Sequence, residues 1–158
     1  MWKTCRTVAA APCEILHVLT HEDAIRRWSP IDFELTGHAG GRLRTGDHAR
    51  VEGRIAGIGV GFDVEVTRAE GATLELFASG PVEIHVHYGI SRRGAASAVE
   101  ASVDVRGGRG MTGRVVATTV RALLAAGALD GALHRIAAEA EPAGAAPDAQ
   151  AAGELALA

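Results

Sequence analysis

Three sets of residues in this chain have types and spacings that could carry chemistry. Gly108, Gly110 and Gly113 form a G-x-G-x-x-G run between a period-two segment and a helical one. That spacing can cradle a dinucleotide pyrophosphate on a helix N-terminus. Followed by Arg114, the same stretch also comes close to a phosphate-binding P-loop. Neither reading holds. A dinucleotide site needs a parallel strand after the helix, ending in an acidic residue, and no strand pattern follows here. A P-loop needs lysine and then a hydroxyl residue, where this chain has Arg114 and Val115. A glycine-rich turn ahead of a docked helix accounts for the run, because glycine supplies the positive φ that such turns use.

His85 and His87 lie two apart in an alternating segment, so both point to one side of a strand. A zinc site built on them needs a third protein ligand, and His48 is the nearby candidate. All three fall on the polar side of the alternation. The expectation is therefore solvated sheet histidines, with Glu83 or Glu100 across the strand, and no metal. His17 sits among apolar neighbours as a partly buried, satisfied histidine would. Glu22 and Arg26 are spaced as an i,i+4 helix pair, and Glu14, Asp23 and Arg27 read as exposed helix charges. No serine stands in a nucleophile elbow, and no carboxylate pair shares the apolar side. No catalytic residue and no cofactor are assigned.

The elements that position these residues follow from composition and period. The chain has 158 residues, 47% of them apolar and 22% charged, enough for one domain with a real core. A net charge of −3 gives no basic field for nucleic acid or an anionic membrane. The opening residues 1–6 hold no apolar signal region, and no stretch approaches the ~18 apolar residues of a membrane span. The expectation is a cytoplasmic protein with free thiols at Cys5 and Cys13. Three phenylalanines, two tryptophans and one tyrosine are few beside 20 glycines. Small inward side chains leave space unless the backbone layers close up.

Trp2–Val8 reads as an edge strand. Pro12 suits a first helical position, and Ile15, Leu16 and Leu19 recur at helical spacing. A second short helix covers 22–28 and stops at Ser29-Pro30. From 31 to 106 the period is two, in six runs joined by glycine-containing turns. That predicts consecutive antiparallel pairing, with one apolar face and one wet face. Phe77 falls on the wet side. The cover for the apolar face comes from 111–139, where Val116, Val120, Leu123 and Leu124 form one stripe and Leu129, Leu133 and Ile136 another nearly opposite. A bend or break near Gly127 reconciles the two stripes. Residues 1–140 form the domain, and 141–158 read as a disordered Ala-, Gly- and Pro-rich tail.

Strand, two short helices, six strands and a long helix is an order that resembles the START/Bet v1-like (SRPBCC) superfamily, which includes the polyketide cyclase/dehydrase proteins. Val8-x-x-Ala11-Pro12, then Ile15-Leu16-x-x-Leu19-Thr20, then Trp28-Ser29-Pro30, are similar to the opening segment of that family. Cys13 stands where the family usually has a polar residue. The resemblance implies an α+β helix-grip fold: a seven-stranded curved antiparallel sheet around a long C-terminal helix, with two short helices after the first strand. It also implies a cavity for lipids, hormones or polyketide-type metabolites in some relatives, cyclase or aromatase activity in others, and chaperone activation in others again.

Alternation turns Phe33, Leu35, Val51, Ile55, Phe62, Val64, Val66, Leu74, Leu76, Ile84, Val86, Tyr88, Val99 and Val103 inward. Only Tyr88 carries a polar tip. Acid–base catalysis needs a titratable group within hydrogen-bond reach of substrate, so this wall reads as a binding site for an apolar ring system. Burial at roughly 25 cal/mol per Å2 supports micromolar binding without further polar contacts. The expected ligand contacts are Trp28, Phe33, Leu35, Val51, Phe62, Val64, Leu76, Val86, Tyr88, Val120, Leu123 and Leu124. Trp28 is equally readable as a packing anchor and Tyr88 as a space filler. The expected partner is an apolar small molecule, not nucleic acid or a membrane, with oligomeric state left open. A cyclase or dehydratase would draw polar groups from Ser29, His38, Arg42 and Arg44 or from Thr112, Thr118 and Arg121. An interaction module would have a filled core.

Overall fold

The computed structural model describes residues 1–29, 32–37, 40–55 and 57–141. In chain order the elements are β1 (Trp2–Val8), α1 (Pro12–Thr20), α2 (Glu22–Trp28), β2 (Phe33–Thr36), β3 (His48–Ile55), β4 (Ile58–Glu70), β5 (Thr73–Ser79), β6 (Glu83–Arg93), β7 (Ala96–Arg106), α3 (Gly110–Ala125) and α4 (Ala128–Ala140). The expected tail from 142 onward, Pro30, Ile31 and His38 lie outside the described residues.

Seven strands form one antiparallel sheet in the order β1-β7-β6-β5-β4-β3-β2. Strands β2 to β6 each pair with the next strand along the chain. The first strand crosses over to join the last, with Trp2 opposite Val103 and Val8 opposite Ser97. The register slips between Val66 and Arg68, a bulge that bends β4 and lets the sheet wrap. Phe77 lies on the outer face, its ring 4.5 Å from that of His85.

Between β1 and β2 the chain makes two helices. Pro12 opens α1, and Glu14 Oε1 accepts the Ala11 N–H at 3.0 Å, occupying a donor left over at the helix start. Segment 41–43 then pairs back on the α1–α2 corner: Glu22 N–H donates to the Gly41 carbonyl and Leu43 N–H to that of Thr20.

The C-terminal helical segment breaks near Gly127, as the two stripes require, into α3 and α4, bent by 59°. Gly127 adopts φ 98° in the left-handed region, where a side chain would be strained. The physical cause is the pair of opposed stripes: a straight rod would leave one of them in water. With the break, Val116 and Ala117 of α3 are buried, and so are Leu129, Leu133 and Ile136 of α4. Polar bonds from β1 and the N-terminal segment reach α4 and its end: Thr4 Oγ1 to Asp130 at 3.1 Å, Arg6 with His134 at 2.9 Å, and the Ala9 N–H to Glu141 at 3.1 Å. Arg27 of α2 adds an ion pair to Glu139 at 2.8 Å. The glycine run is structural. Gly108 and Gly110 have positive φ, and a Cβ on Gly113 would come within 2.7 Å of Gly108 C and 2.9 Å of the Pro81 carbonyl. No single helix among the described residues is long and apolar enough to cross a membrane.

Candidate ligand-binding cavity

The sheet register explains where the inner face is full and where it is hollow. One row runs Ala69, Leu74, Tyr88, Ala101 and Thr4 across β4, β5, β6, β7 and β1. There the Tyr88 ring fills the depth, 5.9 Å from Trp28 in an edge-on arrangement. A parallel row runs Ala49, Val64, Ala78 and Ile84 across β3 to β6. It carries two alanines and no aromatic ring, and α3 passes over it. The space left is a cavity of about 390 Å3, within the usual range of small-molecule pockets, about 300–1,000 Å3.

Ten of the twelve expected contacts line this cavity: Phe33, Leu35, Val51, Phe62, Val64, Leu76 and Val86 from the sheet, and Val120, Leu123 and Leu124 from α3. Leu123 remains 42% exposed at the edge. Ile55, Val66 and Ile84 of the inward face join them, and the apolar lining that sequence reasoning missed is Ile25, Leu43, Ala49, Ala78 and Ala128. Ala49 and Ala78 occupy apolar positions of the alternation and were legible there. Leu43 sits in a glycine-rich segment with no period, and nothing in the sequence marks it.

Trp28 and Tyr88 do not line the cavity. Trp28 is 7% exposed, and its indole N–H donates to the Val18 carbonyl at 3.0 Å. That carbonyl sits in the last turn of α1, where helical partners run out; the Glu22 N–H four residues on goes to Gly41 instead. Trp28 therefore ties α2 to the end of α1. Tyr88 is 3% exposed, and among the described residues its hydroxyl has no hydrogen-bond partner. Alternation put it on the inner face correctly, but its row is the filled one.

Burial pushes the Tyr88 phenol well above its ordinary value, because the anion would lose its hydration. The folded state thus holds the proton that the unfolded chain releases near pH 10. Full stability is expected below about pH 10, falling as pH rises from there toward the raised folded value, by up to about 1.4 kcal/mol per pH unit. Urea midpoints from pH 9 upward should fall more steeply for the wild type than for Tyr88→Phe. Tyr88 is the one tyrosine in the chain, so tyrosinate absorbance should rise only as the protein unfolds. Equal slopes in the two proteins would show a phenol that titrates freely.

Of the polar groups considered for catalysis, Ser29 lines the cavity and Arg42 lines a separate surface depression beside α1. Thr112 and Thr118 are exposed, and Arg121 donates to the Val105 carbonyl at 3.3 Å. On the outer face, His87 Nε2 lies 3.7 Å from Glu75 Oε2, so its carboxylate neighbour is Glu75 rather than Glu83 or Glu100. Among the described residues no three His, Cys, Asp or Glu groups gather as a metal would require. Cys5 and Cys13 are free and exposed.

Comparison with solved structures finds the same fold in proteins of low sequence identity. A START superfamily protein from Mycobacterium smegmatis is 16% identical, with a TM-score of 0.63 over 87% of this chain and 94% of its own. Ara h 8.0201 is 12% identical, with a TM-score of 0.58 over 87% and 94%. DynU16, described as a putative protein in the dynemicin biosynthetic locus, is 22% identical, with a TM-score of 0.56 over 86% of this chain and 45% of its own. No family model matches the sequence, and no curated protein matches it.

Proposed function

We propose that this START/Bet v1-like helix-grip domain, residues 1–140, binds an apolar small molecule in the cavity between its sheet and α3. It acts as a carrier or sequestering protein. One observation carries the reading: a hollow of about 390 Å3 walled by aliphatic and phenyl side chains, whose polar lining among the described residues is Glu22, Ser29, Asp47 and His48. Chemistry on a bound molecule would need an acid or base aimed at its centre; the Tyr88 hydroxyl lies elsewhere, and Glu22, Asp47 and His48 meet the cavity from the start of α2 and the start of β3. The hollow also favours a ligand over an interaction module, whose core would be packed solid. The sequence resemblance to polyketide cyclase-like proteins and the likeness to DynU16 support a polyketide-like ligand and a setting in secondary metabolism, including self-resistance.

The test uses pyrene, a flat apolar probe whose emission reports local polarity. Titrated into the protein it should bind saturably at one site, shift to an apolar emission pattern, and be recovered chemically unchanged. Non-saturating uptake would remove the carrier reading. A natural polyketide substrate that turns over, with loss of turnover in Ser29→Ala, would put cyclase chemistry in its place.

A further inference from the structure

All but four of the described residues that line the cavity are apolar. The four are Glu22, Ser29, Asp47 and His48, and the first three are already engaged. Glu22 Oε2 accepts from Arg26 Nη2 at 2.9 Å, Asp47 Oδ2 accepts the Arg44 N–H at 2.8 Å, and Ser29 has a partner of its own. Arg26 is engaged too. Its guanidinium lies 5.2 Å over the Phe33 ring, and Nη1 donates to the Phe33 carbonyl at 3.1 Å. Strands β3, β4, β5 and β6 each have a neighbour on both sides, so the ladder takes up their main-chain groups. Two partners for a new hydrogen bond stand at the rim: His48 is exposed, and α4 starts without a side-chain cap beside exposed Gly127.

We infer that the enclosed part of the cavity acts as an alkane-like solvent. Its ligand is a hydrocarbon frame (a polyene, a terpenoid or fused rings) that carries oxygen or nitrogen only where it meets the rim. The inference rests on the cavity-binding reading above and specifies its ligand class. A hydroxyl, carbonyl or ring nitrogen carried inside gives up water and finds a partner only by breaking a bond that Glu22, Ser29 or Asp47 already makes. The penalty is that of transfer into cyclohexane, which cannot hydrogen-bond, and not the smaller one for octanol, which can. Of a polyketide-like molecule the cavity therefore holds the reduced stretch, free of oxygen, and excludes rings rich in ketone groups.

The experiment compares pyrene with 2,7-diazapyrene, at a pH where the diaza compound is neutral, by fluorescence titration of the full chain. The two have the same outline. Diazapyrene has a ring nitrogen at each end of its long axis, so one nitrogen lies inside whichever end enters first. Pyrene should bind saturably. The ratio of the two affinities should exceed the ratio of their water–octanol partition coefficients by at least about tenfold. Diazapyrene that neither binds nor displaces pyrene is the extreme of the same result. A smaller excess, or equal affinity, overturns the inference and leaves the cavity reading standing, because pyrene still binds. Failure of pyrene itself to saturate overturns the cavity reading, and the inference with it.

Discussion

Ala78→Phe is expected to abolish pyrene binding and leave the protein at least as stable as the wild type. Ala78 lies in the hollow row, opposite Val64 on β4 and Ile84 on β6, with its methyl on the cavity wall. A phenyl ring there extends into the space a ligand would occupy. In a filled core, such an enlargement costs about 1–3 kcal/mol through forced rotamers and backbone shifts. Here the ring enters empty volume and gains contacts that the wall lacks, which makes the change neutral or stabilising by about 0.5–2 kcal/mol. Binding should weaken at least about a hundredfold, equivalent to about 2.7 kcal/mol. Urea denaturation and pyrene titration on the same preparation read both effects. A variant that unfolds earlier yet still binds pyrene would mean that this row is packed and that the probe sits elsewhere.

Trp28→Ala should have the opposite signature, a loss of about 3–5 kcal/mol in stability. The indole stands edge-on to Tyr88, and its N–H is the partner of the Val18 carbonyl at the end of α1. Removing it empties a buried volume and orphans that carbonyl together. Trp28→Phe separates the two contributions: the ring contact survives in part, and the lost hydrogen bond costs about 1–3 kcal/mol. Pyrene affinity should hold in Trp28→Phe, because this residue supports the helix pair and is absent from the cavity wall. A Trp28→Phe protein of wild-type stability that no longer binds pyrene would restore Trp28 as a ligand contact.

The strand runs were legible because one face of the sheet is covered and the other is wet, and a period of two records that asymmetry directly. The break at Gly127 was legible for a related reason. Leu124 and Leu129 belong to stripes that no straight helix can bury on one side, and glycine is the residue that turns between them. The wet-face placement of Phe77 and of the His85–His87 pair came from the same alternation. What alternation lacks is depth. It assigns Tyr88 and Val64 to the same side of the sheet, yet one sits in a row plugged by its own ring and the other beside two alanines. Leu43 was invisible for a different reason, since its segment reaches the cavity only by pairing with the α1–α2 corner.

The sequence alone determined the order of elements, the apolar character of the inner wall, and the place where the closing helix must bend. These depend on residues near one another along the chain, whose spacing is fixed by backbone periodicity. Tertiary structure decided which inward side chains face a void, which plug the core, and where the carboxylates of Glu22 and Asp47 meet it. Those outcomes depend on register across five strands and on helices docked from distant parts of the chain, which no local pattern encodes.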